Sequence, residues 1–208
     1  MIKIYGSPMS SAGRCYWMLE ELGLPYEQMP MNMREKQHKS PDYLKINPNG
    51  KIPAIIDGEY ILWESMAITN YLAKKHNSPL APQNLEEEGH IMQWSFWALV
   101  DLQTPAVNWL IQALFVPDEF KNPKVIEDAK KVLPNYLNTL EAGLKGKTYL
   151  VGNRFTVADL NVASVVGLLY ALKFDMSPYS EINKWMGLCT SRPAAQKLDK
   201  MRATAQAH

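Results

Sequence analysis

Ile52-Pro53-Ala54-Ile55-Ile56-Asp57-Gly58-Glu59-Tyr60-Ile61-Leu62-Trp63-Glu64-Ser65 carries the densest structural signal in the chain. Two runs rich in β-branched and aromatic residues flank Asp57-Gly58, a dipeptide suited to the left-handed backbone of a tight turn. The stretch therefore predicts two antiparallel strands. Pro53 cannot donate to a ladder, and it stands where the first strand begins. It is either an ordinary trans proline or a cis one; a cis bond would leave the Ile52 backbone groups free to pair with an extended peptide. After Trp63, Glu64-Ser65 opens a helix with apolar positions at Met66, Ile68, Tyr71 and Leu72.

Upstream, Ile2-Lys3-Ile4-Tyr5 reads as a strand that stops at Gly6-Ser7-Pro8. Ser10 and Ser11 can cap a helix whose apolar positions include Cys15, Met18, Leu19 and Leu22, and Gly23 with Pro25 gives the stop signal. A second strand is expected over 26–31, and a short helix capped by Ser40 before Asn47-Pro48-Asn49-Gly50. The order is β-α-β-(α)-β-β-α, a parallel pair joined to an antiparallel hairpin. Downstream everything is helical in pattern: one long aromatic helix over 86–115 kinked at Pro105, a second over 123–144 that Pro134 could break, then 156–172, 181–190 and 193–205. The chain divides into an α/β domain over 1–77, a linker over 78–85 and an all-α domain over 86–208.

Composition limits the function. The 208 residues are 47% hydrophobic and carry a formal net charge of +1, so no global field would hold nucleic acid or an anionic membrane. Cys15 and Cys189 are the only cysteines and form no disulfide framework or zinc ribbon, which suits a reducing, cytoplasmic setting. The N-terminus does not read as a signal peptide. The most apolar run, 157–172, is interrupted by Asp159, Asn161 and Ser164, so no membrane span is expected.

Several residues invite a chemical reading beside a plain one. Ser10 and Ser11 either cap a helix or donate to a bound thiolate, since a helix N-terminus and a hydroxyl both favour the charged sulfur. Glu64-Ser65 is either an N-cap or a site where free N–H groups and a hydroxyl capture a carboxylate, with Glu64 facing a ligand ammonium. His38, Lys39 and Lys51 are solvated cations or carboxylate contacts. Cys15 lies on an apolar face and reads as a buried, inert thiol. Trp94, Phe96, Trp97, Trp109 and Phe115 form a stripe that is core, interface or part of an apolar pocket wall. Thr156-Val157-Ala158-Asp159 is a capping box with a Phe155–Leu160 staple, so Asp159 is structural and no catalytic acid. No His/Cys cluster suggests a metal.

In this order the pieces resemble the cytosolic glutathione transferases over essentially the whole chain. The carriers are Ser7-Pro8-Met9-Ser10-Ser11-Ala12-Gly13-Arg14, Leu19-Glu20-Glu21-Leu22-Gly23-Leu24-Pro25-Tyr26-Glu27, Asn47-Pro48-Asn49-Gly50-Lys51-Ile52-Pro53-Ala54, Glu64-Ser65-Met66-Ala67-Ile68 and the Thr156 box. The resemblance implies a thioredoxin-like N-terminal domain, an all-α C-terminal domain and a homodimer. It implies glutathione as co-substrate, a small hydrophobic electrophile as partner, and no metal. Pro53 matches a cis-proline, Ile52 the residue that binds the cysteinyl backbone, and Glu64 with Ser65 the pair that holds the γ-glutamyl end. His38, Lys39 and Lys51 match contacts to the glycine carboxylate or the peptide. Ser10, four residues before Arg14, matches the activating serine of the theta, delta and phi classes; Ser11 would serve if the zeta pattern held, but Ala12 replaces the zeta cysteine. Neither tyrosine nor cysteine stands at position 10, and Lys51 replaces the phi-type glutamine. The family expected is serine-type, theta/phi/delta-like and of bacterial type. Met9, Met33, Trp109 and Phe115 are the candidates for the electrophile pocket. The competing expectations are a glutathione-dependent isomerase or dehalogenase, and a non-catalytic interaction protein of the same fold.

Overall fold

A computed structural model describes residues 1–206. The chain forms two compact units: Met1–Ala81 together with the residues from Thr190 onward, and Pro82–Cys189.

The first unit is built on a four-stranded sheet in the order β2-β1-β3-β4, with β1 Ile2–Tyr5, β2 Tyr26–Met29, β3 Ala54–Asp57 and β4 Tyr60–Trp63. β1 and β2 are parallel; β3 runs antiparallel to both β1 and β4. The Asp57–Tyr60 pair closes the predicted hairpin, and Gly58 takes the left-handed conformation at φ 65° that its turn requires. Strand β2 stops at Met29 because Pro30 offers no N–H to the ladder. Helices α1 (Gly13–Glu21), α2 (Pro41–Ile46) and α3 (Ser65–Lys75) complete the α/β part. Ser40 caps α2 by accepting from the Tyr43 N–H at 3.2 Å. Ile4, Cys15, Met18, Leu19, Ile55, Ile68 and Leu72 are fully buried and form its core.

Helix α9 (Pro193–Gln206) groups with this unit rather than with the helices before it. It packs against α1, and its Ala194, Ala195 and Leu198 are buried. Arg192 then makes a two-pronged bond to Glu21, 2.7 Å in each arm.

The second unit holds α4 (Leu85–Trp97), α5 (Gln103–Leu114), α6 (Pro123–Leu144), α7 (Val157–Ala171) and most of α8 (Ser180–Thr190). The single helix expected over 86–115 is divided by a wide π turn at Ala98–Leu102. Pro105 supplies no N–H to the carbonyl four residues back, and the turn just before it loosens to absorb the misfit. The break that Pro134 could cause does not occur: α6 is continuous. Ala129, Leu133, Leu137, Leu140 and Leu144 bury one complete face of it and hold the helix across the missing bond. Helix α7 is buried nearly all round, as its sequence predicts. No helix among the described residues is long and apolar enough to cross a membrane.

One ion pair ties the loop after α6 to α4: Arg154 holds Glu87 at 2.7 and 2.6 Å. Those bonds draw the Glu87 carboxyl down to about 2. A carboxyl depressed in the fold stabilises it above its unfolded pKa, and that contribution disappears as pH falls through the folded value. Between pH of about 4.3 and 2 the native chain should therefore lose about 1–2 kcal/mol relative to Glu87→Gln, after allowing for solvent screening. Denaturant titrations of both proteins across that window measure it; parallel curves would contradict the pair's role.

Candidate active site

The first unit gathers its candidate residues around the end of β1. Gly6 adopts φ 122°, and a Cβ there would stand 3.0 Å from the Ala12 Cβ and 3.2 Å from the Ile52 Cβ. Only glycine lets the loop before α1 pass this close to the segment before β3. The Tyr16 hydroxyl donates to the Gly6 carbonyl at 2.9 Å and fixes that end of the loop.

Within the loop, Ser10 does not cap α1 as the pattern suggests; Ala12 is the cap residue and makes no side-chain cap bond. The serine is used one step earlier. Its hydroxyl donates to the Ser7 carbonyl at 2.7 Å and accepts from the Ala12 N–H at 3.2 Å. The Ser10 carbonyl in turn accepts from the Gly13 N–H at 2.9 Å. The hydroxyl thus stands at the positive end of α1 with a proton that can swing from Ser7 to another acceptor. Ser11 is half-buried beside it, and its hydroxyl makes no bond among the described residues.

The start of α1 is joined directly to the start of α3. Arg14 Nη1 donates to Ser65 Oγ at 3.1 Å, and the Cys15 thiol donates to the Ser65 carbonyl at 3.6 Å. Burial lowers the Arg14 guanidinium to about 10, partly opposed by the negative charge of Glu64. Burial pushes the Cys15 thiol up to about 12, so it is no nucleophile at neutral pH. Because Ser65 Oγ accepts from Arg14, its own proton is left for a ligand. Glu64 precedes it at φ 71°, ψ 111°, a conformation rare for any residue but glycine. Its exposed side chain makes no cap bond to α3.

The Ile52–Pro53 bond is cis. The carbonyl of Lys51 accepts from the Tyr43 hydroxyl and from Asn47 Nδ2, both at 2.7 Å, which fixes the approach to it. Lys39 Nζ donates to the Asn49 carbonyl at 3.1 Å. Gly50, at φ 55°, makes room for it: a Cβ would lie 2.7 Å from Lys39 Nζ. His38 is half-buried, with Nδ1 shielded from solvent and unpartnered among the described residues. His38, Lys39, Lys51, Ile52 and Pro53 therefore lie on one connected pair of loops, while Ser10, Glu64 and Ser65 cluster at the starts of α1 and α3. Met9 and Met33 are exposed in the same unit. In the second unit Trp109 is 7% exposed, against Phe174, with Lys130 Nζ 5.0 Å above its ring, and Phe115 is 73% exposed at the end of α5. Among the described residues, no group of His, Cys, Asp or Glu could hold a metal ion.

Two supports escaped the sequence pattern. Tyr43 reads as an apolar position of α2, so its hydroxyl gives no signal; Asn47 is visible only as part of a turn.

Residues 1–74 match the family model for the glutathione S-transferase N-terminal domain, and residues 104–193 match that for the C-terminal domain. The chain belongs to the glutathione S-transferase family. Curated relatives of this glutathione S-transferase chain include the probable glutathione S-transferase GSTF2 of Oryza sativa, 36% identical with 95% of each chain covered. Glutathione S-transferase 1 of Zea mays is 35% identical over 95% of each. Among solved structures, a glutathione S-transferase-I bound with lactoylglutathione superposes at a TM-score of 0.87, with 33% identity over 96% of this chain and 99% of that one. The glutathione transferase URE2P5 of Phanerochaete chrysosporium gives 0.92 at 26% identity, covering 99% and 96%.

Proposed function

We propose that this chain binds glutathione in its first unit, ionises the thiol beside Ser10 and directs the thiolate at small hydrophobic electrophiles. Transfer of glutathione is the activity for which its curated relatives are named. The observation that carries the site assignment is the Arg14–Ser65 bond, which joins the helix opening at the serine loop to the helix opening at Glu64 and Ser65. Two helix N-termini thereby face the two negative parts of one peptide, its sulfur and its γ-glutamyl carboxylate. Ser65 donates to that carboxylate and Glu64 accepts from the ligand ammonium. The Ile52 backbone pairs with the cysteinyl residue, and His38, Lys39 and Lys51 face the glycine carboxylate. Ser10 swings its proton from the Ser7 carbonyl to the sulfur as the thiol releases its own to solvent. The thiolate then attacks the electrophilic carbon: the carbon–sulfur bond forms as the leaving group departs with its electron pair or, in an addition, as the carbon's π pair shifts and takes a proton from solvent. The exposed Met9 and Met33 are the proposed electrophile contacts on this unit.

The division of labour proposed is glutathione binding over 1–77, a linker over 78–85 and electrophile binding over 86–208. Of the classes weighed from the sequence, the plant relatives favour phi over theta, delta or a bacterial-type member. A homodimer is proposed as the working form. Leu85, Met92, Phe96 and Val100 run along α4 and the π turn as exposed apolar residues, 43–81% accessible, and support it. Two buried cysteines that form no disulfide support a cytoplasmic location.

The test is a pH titration of bound glutathione by thiolate absorbance. The native chain should ionise it below the free thiol's pKa. Ser10→Ala should raise that midpoint and cut the rate at neutral pH by about tenfold, with the helix N-terminus supplying the rest. Ser11→Ala should change neither. The reverse pattern would transfer the role to Ser11, and an unshifted thiol in the native chain would refute activation altogether.

A further inference from the structure

Helix α9 makes a connection to the serine loop that the proposed chemistry does not yet use. Past the Arg192–Glu21 pair, Lys197 reaches Glu20 at 2.6 Å, and the Tyr26 hydroxyl meets the same carboxylate at 2.6 Å. Farther along, Arg202 Nε donates to the Pro8 carbonyl at 3.3 Å, and Asp199 holds its Nη1 at 3.2 Å. The approach depends on Gly13. A Cβ there would lie 2.6 Å from the Pro8 oxygen and 3.0 Å from Arg202 Nη2. Pro8, the first turn of α1 and the Arg202 guanidinium thus meet over a residue with no side chain. The loop is held by Tyr16 at Gly6 and by Arg202 at Pro8, two residues before Ser10.

We propose that Arg202 is a positioning residue for thiol activation: by gripping the Pro8 carbonyl from the C-terminal helix, it sets the loop geometry that aims the Ser10 hydroxyl at the sulfur. The inference rests on the reading of Ser10 given above. The bonds inside the loop are all local, from Ser7 to Gly13, and would survive a rigid tilt of the whole turn. A bond from another helix removes that freedom. The cation also adds to the positive end of α1, where it favours a thiolate over a thiol.

The test compares six variants with the native chain by melting temperature, by the pH titration of bound glutathione, and by kcat and KM. Arg202→Ala should raise the thiol's midpoint, lowering the thiolate fraction at neutral pH and kcat together by about three- to tenfold, with the KM for glutathione changed by less than about twofold. Arg202→Lys keeps the charge and one donor and should fall between. Gly13→Ala forces the Pro8 oxygen away from the other side and should shift the midpoint in the same direction. The double variant should be no worse than the poorer single one, because both break one contact. Arg192→Ala loosens α9 at its other end and should lower the melting temperature without moving the titration. If Arg202→Ala and Gly13→Ala titrate like the native chain while Ser10→Ala is shifted, the positioning role is overturned and the serine reading stands. If Ser10→Ala is not shifted either, the serine reading fails and the role of Arg202 fails with it. A shift of equal size in Arg192→Ala would reduce Arg202 to a general prop of the helix and also overturn the proposal.

Discussion

Arg14→Met should raise the KM for glutathione by about ten- to a hundredfold and leave the melting temperature near that of the native chain. The loss follows from one charge-assisted hydrogen bond, Arg14 to Ser65, worth about 1.5–3 kcal/mol in a buried setting. Without it Ser65 Oγ has no fixed donor behind it, and its proton is no longer directed outward to a carboxylate. The guanidinium also places a full positive charge beneath the opening of α3, where an anion is expected. Stability should respond differently. Burying this cation is costly, as its lowered pKa of about 10 shows, and an apolar side chain of similar length fills the same space without that cost. Arg14→Ala would leave a cavity and reduce both stability and binding, so the methionine variant isolates the electrostatic part. Calorimetry with glutathione and with cysteinylglycine, which lacks the γ-glutamyl residue, makes the test specific. The methionine variant should weaken glutathione and leave cysteinylglycine unaltered. Equal weakening of both would place the effect of Arg14 elsewhere in the site.

What the sequence disclosed and what it hid follow from the range of the interactions. The Asp57-Gly58 hairpin, the Ser40 cap and the Thr156–Asp159 box are decided by residues within a few positions of one another, and each appears where the pattern predicts. The start of α1 was misleading for a local reason. Ser10 and Ser11 have the right type for a cap, but Ser10 spends its acceptor on the Ala12 N–H one step before the helix. Proline at 105 and at 134 gave similar signals with different outcomes: a π turn precedes the first and none interrupts α6, although a buried stripe runs unbroken past both, so burial alone does not decide where a proline breaks a helix. The glutathione-site candidates were visible because serine, glutamate and proline sit in short, ordered motifs. Their supports were not. Arg14 and Ser65 are 51 positions apart, and Arg202 and Pro8 are 194 apart. Nothing in helical periodicity says which distant carbonyl a long cationic side chain will reach. The same blindness explains α9: the sequence pattern counts 193–205 with the all-α domain, and only the packing puts that helix with α1.

Asp159→Ala should cost about 3–5 kcal/mol of stability, the largest effect expected of any single substitution in the second unit. The carboxyl is inaccessible to solvent and accepts from four donors: the Leu150 N–H at 2.9 Å, Trp185 Nε1 at 2.9 Å, the Thr156 N–H at 2.9 Å and the Thr156 hydroxyl at 3.0 Å. Alanine would strand those donors in the core, at about 1–3 kcal/mol for each one that finds no new partner. It would also release the start of α7 from its cap. The donors divide by oxygen: Leu150 and Trp185 use Oδ1, and both Thr156 groups use Oδ2. Asp159→Asn can therefore keep one pair of bonds, but it turns an amide NH₂ toward the other pair, and its loss should be about half that of alanine. Trp185→Phe removes a donor together with its need for an acceptor, so on that bond alone it should cost only about 1 kcal/mol. Adding Trp185→Phe to Asp159→Ala should then recover part of the alanine loss, since one of the stranded donors has gone. Urea denaturation of the native chain and these four variants measures all of this. Strict additivity between the two sites would mean that the indole finds another acceptor, and an Asp159→Ala cost under about 1 kcal/mol would mean that the whole cluster does so. The first outcome would remove the carboxyl's task of joining α8 to the start of α7, and the second would leave it no structural task at all.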